Sequence, residues 1–334
     1  MRCWCRLSLV IVLLLAGCAG PPSVVRETEI FGTRVKITVN GLPEARAAAV
    51  IAEVFTYFGS IHRRFHAWRE GELLAVNRAI ATQNLPFTLS EPMAVMLVQA
   101  ADYSERSSGL FNPAAGRLFA LWGFHSDKPP TAPPPPSSVK QYLANAPSMA
   151  AVNIQAQQLR IAHPLTQFDF GALAKGVALD AARDMLHHHG VRDALINIGG
   201  NILAMGANNG RPWRVRIQPA TDAGAVGTIN LADGEAIATS GGGERFFIHD
   251  GRRYHHVIDP RSGMPAKRNR VATVISAHQQ HAGAISDAAA TALLIANDEE
   301  AAVLLRRFKI KAALRVSADN QLLPTAMMQM RLAL

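Results

Sequence analysis

Asp287 and Thr291 stand four residues apart in Ser286-Asp287-Ala288-Ala289-Ala290-Thr291-Ala292. On a helix that spacing puts a carboxylate and a hydroxyl on one face. With no histidine or cysteine beside them they form a hard oxygen set. This is the chemistry of Mg²⁺, which takes few protein ligands and fills its other positions with phosphate and water. The same pair also reads as a helix-start acid and a packed threonine on a surface helix. A second stretch, Phe168-Asp169-Phe170-Gly171-Ala172-Leu173-Ala174-Lys175-Gly176, places an acid at the end of an apolar strand, then a small-residue turn, then a lysine-glycine step into a helix. Small residues let the backbone approach a bulky ligand, and Lys175 with free helix N–H groups could seat a phosphate. An ordinary strand-to-helix turn with a surface lysine satisfies the same residues.

His255 and His256 lie on a predicted strand and so face opposite sides, just before the Asp259-Pro260 turn. One of them could act as a general base near neutral pH; the other reading is a core histidine held by a backbone carbonyl. The run His187-His188-His189 ends a predicted helix. Consecutive helical side chains diverge, so this run reads as a solvated helix end rather than a metal site. Trp68 reads either as a stacking platform for a flat ring or as partly buried packing.

These residues need elements to hold them. Residues 24–39 read as β-structure interrupted at Phe31-Gly32-Thr33, with Val35, Ile37 and Val39 alternating with Lys36 and Thr38. Pro43 opens a helix through about Phe58, and Ser90-Glu91-Pro92 caps another running to about Ser107. No clean period is visible over residues 65–77. The proline-rich segment 128–138 reads as an exposed loop without packing.

Beyond it come short strands near 152–154, 159–161, 194–196, 202–205, 213–217, 227–231, 236–239, 246–248, 254–258, 271–277 and 312–316. Helices are expected up to about His189, over 283–296 and over 299–308. Strands in runs with helices set apart predict an α+β fold with a mainly antiparallel sheet and flanking helices. There is no G-x-G-x-x-G and no Walker loop.

The chain has 334 residues and a formal charge of +9, spread along its length. That surplus suits an anionic ligand or a membrane surface. No basic-aromatic patch supports nucleic-acid binding. Arg2 and Arg6 precede the apolar run 7–15, which is too short to span a bilayer, and Leu15-Ala16-Gly17-Cys18 follows. These features read as a signal peptide over residues 1–18, and the last four resemble a bacterial lipobox, with Cys18 the lipidated first mature residue. The three cysteines are Cys3, Cys5 and Cys18, so residues 19–334 offer no disulfide, no Cys-ligated zinc and no cysteine nucleophile beyond that anchor.

Taken in order, Asp169-Phe170-Gly171-Ala172-Leu173-Ala174-Lys175-Gly176, Asn197-Ile198-Gly199-Gly200-Asn201, Ala238-Thr239-Ser240-Gly241, His255-His256-Val257-Ile258-Asp259-Pro260 and the Asp287–Ala292 stretch resemble the ApbE family, the FAD:protein FMN transferases. The resemblance runs from Phe31-Gly32-Thr33 to the Thr291 helix. It implies one ApbE-like domain over residues 19–334, in a periplasmic lipoprotein bound to a membrane by its lipid. It also implies Mg²⁺-dependent transfer of FMN from FAD to a Ser or Thr hydroxyl of an acceptor flavoprotein, such as a redox-pump subunit, with release of AMP. Hydrolysis of FAD to FMN and AMP, or FAD binding without turnover, are the other outcomes such a site allows.

By the same resemblance Asp287, Thr291 and the carbonyl of Ala172 are the magnesium ligands, and Asp169 and Lys175 contact the flavin nucleotide. Phe31, Trp68, Asn112 and Ile258 border the ligand, and His256 assists transfer. Departures from the family's pattern are Asn112 for an aspartate, Ala172 for a glycine, and Gly242-Gly243 for a more polar pair.

Overall fold

The computed structural model describes residues 23–333 except 129, 162, 218–226 and 244. The predicted signal peptide and Cys18 lie outside the described residues. Eight strands form the main sheet, all paired antiparallel and in chain order: β1 (Val24–Ile30), β2 (Thr33–Asn40), β3 (Asp193–Ile198), β4 (Asn201–Met205), β5 (Ala236–Gly241), β6 (Asn269–Ser276), β7 (Ala312–Ser317) and β8 (Leu322–Pro324). This is the expected α+β class. The turn between β1 and β2 carries Phe31, and the excursions between β2 and β3, β5 and β6, and β6 and β7 carry the other candidate site residues.

Strand alternation sends residues to two cores. Ala236 and Ala238 of β5 face a large cluster, while Ile237 between them faces a smaller one. On the large side lie three helices: α1 (Glu44–Arg64), α2 (Ala174–His188) and α3 (Ala282–Ile295). On the other face packs the hairpin Trp213–Ile217 with Gly227–Leu231.

The helix α3 departs from the surface helix expected from its sequence. Every residue from Ala282 to Ile295 is buried except Thr291, which is half-buried. Its Gly and Ala residues are thin enough to fit between the sheet and α2, and a helix apolar on all sides belongs in a core. The proline-rich segment is also shorter than expected as a loop, because Pro136–Leu143 is helical. Pro136 sits in the first turn, where proline costs no hydrogen bond. Val139 and Tyr142 of this helix are buried. Residues 65–77, without a visible period, contain the start of a helix at Glu72–Ala81 that buries Leu73, Val76 and Ile80. The strand expected over 254–258 is broken, with Arg252–His255 paired to Phe246–His249 and Ile258–Asp259 paired to Met264–Pro265.

Candidate active site

The sequence excursions meet over one end of the large core. Phe31, Trp68, Asn112, Asp169, Ala172, Lys175, His256, Ile258, Asp287 and Thr291 all line one cavity of about 860 Å³. That volume falls within the roughly 300–1,000 Å³ typical of small-molecule sites.

Phe31 is presented by the two-residue turn joining β1 and β2. Phe31 and Gly32 take φ of 60° and 69°, the left-handed pair that a tight hairpin requires. Its ring meets His62 of α1 edge-on at 5.4 Å. Asp169 is held by clamps on the backbone before it. The buried Asn77 accepts from Phe168 N at 2.7 Å and donates to Phe168 O at 2.9 Å, and Asp169 N donates to Pro113 O at 2.9 Å. Asn112 turns its side chain to the backbone, donating to Pro147 O at 2.9 Å and accepting from Ala114 N at 3.2 Å.

Asp169 has a partner that nothing in the local sequence signals. His125 Nε2 donates to Asp169 Oδ2 at 2.7 Å, while Oδ1 accepts from Gly171 N at 2.7 Å. Burial alone would push this carboxyl up; the His125 hydrogen bond and charge, the Gly171 N–H and Arg245 reverse that and hold it below the usual carboxylate value. Trp68 stacks on His125 with ring centroids 5.0 Å apart and planes 21° apart. The guanidinium of Arg245 sits 5.5 Å from the Trp68 ring. Trp68 Nε1 and His125 Nδ1 are buried without hydrogen-bond partners among the described residues. Lys175 Nζ donates to Gly171 O at 3.3 Å across the same turn.

The two adjacent histidines separate cleanly. His255 Nε2 donates to Ala266 O at 2.7 Å and its Nδ1 accepts from Val257 N at 3.3 Å, so both nitrogens are engaged by backbone. His256 Nδ1 donates to Arg245 O at 3.1 Å, which leaves Nε2 as the lone-pair nitrogen. Burial lowers His256 to about 4 against that hydrogen bond, with His255, Arg245 and Lys175 adding to the lowering. His256 is therefore a neutral imidazole at pH 7 on a cavity-lining ring, with no hydrogen bond to Nε2 among the described residues.

The oxygen set is built from α3 and β5. Asp287 is 3% exposed, and its Oδ2 accepts from Gly176 N of α2 at 3.0 Å. Thr291 Oγ1 lies 3.0 Å from Ser240 Oγ of β5. Among the described residues no group of three His, Cys, Asp or Glu is placed to hold a metal. One carboxylate, a hydroxyl and a carbonyl fit a hard cation that takes most of its ligands from phosphate and water, and they do not fit zinc.

Comparison with known proteins follows the same ground. The ApbE family model matches residues 31–314. An FAD:protein FMN transferase of Rhodobacter capsulatus is 39% identical over 98% of this chain, and the chain spans 62% of that relative's length. An FAD:protein FMN transferase of Treponema pallidum is 31% identical over 95% of this chain and 92% of its own. The ApbE protein of Thermotoga maritima superposes with a TM-score of 0.83 at 22% identity, over 94% of this chain and 100% of its own. The flavin transferase ApbE of Vibrio cholerae superposes with a TM-score of 0.78 at 25% identity, over 93% of this chain and 100% of its own.

Proposed function

The chain belongs to the ApbE family, and from that membership we propose that it transfers the FMN half of FAD to a Ser or Thr hydroxyl of an acceptor protein. The hydroxyl oxygen attacks the flavin-side phosphorus, the pyrophosphate P–O bond breaks, and AMP leaves with the bonding pair. A phosphoester remains on the acceptor. The observation that carries this reading is the convergence, in one cavity, of a neutral imidazole, a lysine and an oxygen-only set.

His256 Nε2 is the group that takes the hydroxyl proton, because Nδ1 is committed to the Arg245 carbonyl. Lys175, at the head of α2, offers a cation to a phosphate oxygen. Trp68, Phe31 and Ile258 give the cavity apolar and aromatic lining against which a flat ring system is seated, and Asn112 borders it. Asp169, kept ionised by His125 and Gly171, accepts a hydrogen bond from the nucleotide. Asp287, Thr291 and the Ala172 carbonyl would hold Mg²⁺. When bound, the ion neutralises pyrophosphate charge and stabilises the leaving phosphate.

Among the described residues no helix is long and apolar enough to cross a membrane. The lipobox-like Leu15-Ala16-Gly17-Cys18 supports a periplasmic protein anchored through lipid on Cys18. The experiment for the reaction is AMP release from FAD with Mg²⁺, with and without an acceptor bearing a modifiable threonine. Release that rises with acceptor supports transfer. Equal release without acceptor identifies a hydrolase, and FAD binding without release identifies a binding protein.

A further inference from the structure

We propose that Asp180 is a positioning residue for the oxygen site, locking α2 against α3 so that Asp287 is held with one carboxylate oxygen directed to the cavity. The inference rests on the reading of Asp287 as a magnesium ligand.

The two helices clasp each other reciprocally. Gly176 and Asp180 are four apart on α2, and Gly283 and Asp287 are four apart on α3. Asp180 Oδ1 accepts from Gly283 N at 2.9 Å and Oδ2 accepts from Ala284 N at 2.9 Å, both in the first turn of α3. In return Asp287 Oδ2 accepts from Gly176 N at 3.0 Å, in the first turn of α2. Each carboxylate thus satisfies orphan donors at the positive end of the other helix. A Cβ on either glycine would collide with the carbonyl of the other, so the backbones touch and neither helix can slide.

The two acids differ in one respect. Asp287 lines the cavity and Asp180 does not. Asp180 is 5% exposed, and both its oxygens are spent on the α3 backbone, with Arg183 Nη1 3.7 Å away. Its contacts leave it no part in binding FAD. Its effect on the reaction runs through the head of α3, one turn before Asp287. Groups that orient a metal ligand typically change metal affinity about 10–100-fold when removed.

The test is Asp180→Asn, whose amide presents hydrogens to one of the two α3 N–H groups. Mn²⁺ serves as the probe, with free ion counted by electron paramagnetic resonance in the presence of FAD. Flavin binding is measured separately, by fluorescence quenching in chelator. The expected result is a Mn²⁺ affinity about 10–100-fold weaker, with metal-free FAD binding within twofold of wild type. Wild-type Mn²⁺ affinity in a variant that only melts earlier assigns Asp180 a purely structural role and overturns the proposal. If wild type itself binds no Mn²⁺, the metal reading falls and this inference with it. A second measurement needs no variant. Linkage requires metal binding at Asp287 to tighten the clasp from both sides. In wild type with FAD, Mg²⁺ should therefore slow amide exchange in 283–287 as well as 174–180. Slowing confined to the cavity loops would contradict the proposal.

Discussion

Asp287→Ala separates the structural and chemical roles of one carboxylate. The side chain is 3% exposed and accepts from Gly176 N at 3.0 Å. Alanine leaves that N–H buried without a partner, which costs about 1–3 kcal/mol. For a chain of this size that is a fall in Tm of roughly 1–4 °C. Asp287→Asn keeps an acceptor oxygen for Gly176 and so should melt nearer to wild type. It nonetheless removes the charge that holds a hard cation, and so it should lose magnesium-dependent release of AMP almost completely. Melting followed by circular dichroism and AMP release by chromatography give the two readouts. The reasoning is refuted if Asp287→Ala melts with wild type, or if Asp287→Asn turns over FAD at the wild-type rate with the wild-type dependence on Mg²⁺.

His256→Ala should slow transfer by about 10²–10⁴-fold while FAD affinity changes little; an unchanged rate removes His256 from the mechanism. Because burial lowers His256 to about 4, its folded value lies below its unfolded one. Its contribution to stability is then complete above its ordinary value near 6.5 and is lost as pH falls toward 4. The acid limb of kcat/KM should accordingly fall near 4 in protein still folded by circular dichroism, and a limb near 6.5 would contradict a base lowered to about 4 and so neutral at pH 7. His125→Phe keeps an aromatic ring for Trp68 but deletes the bond to Asp169. It should weaken FAD binding in titrations of flavin fluorescence, whereas wild-type affinity would show that the pair does not serve the nucleotide. Cys18→Ser should abolish lipid labelling and release the protein from membranes; retention in the membrane fraction would defeat the anchor.

The strands were legible where one face is buried and the turns are marked. Val35, Ile37 and Val39 alternate with polar residues, and the strands Trp213–Ile217 and Gly227–Leu231 fall where the sequence places them. Ser90 caps its helix by accepting from Met93 N at 3.3 Å, as its residue type predicts. The helix at Glu72–Ala81 escaped because its apolar residues fill less than three turns after Gly71. Alanine explains the misjudged α3: it suits a solvated helix and a crowded core equally, and only packing distinguishes them.

At the site, residue types pointed to an oxygen set and a histidine base. The family resemblance singled out His256; the residue chemistry alone left His255 and His256 equivalent, and the backbone contacts that engage both nitrogens of His255 appear only in the folded chain. His125 and Arg245 reach the site across long sequence separations, through contacts with Asp169 and Trp68 that exist only in the folded chain.

The central claim is that a flavin phosphate becomes covalently attached to a protein hydroxyl. Intact mass spectrometry of a candidate acceptor, after incubation with this protein, FAD and Mg²⁺, measures that attachment directly. The account predicts a gain of one FMN less one water on a single Ser or Thr, absent when the residue is replaced by alanine and absent with Asp287→Asn enzyme. An acceptor of unchanged mass, with AMP nonetheless accumulating in the same tube, would contradict it.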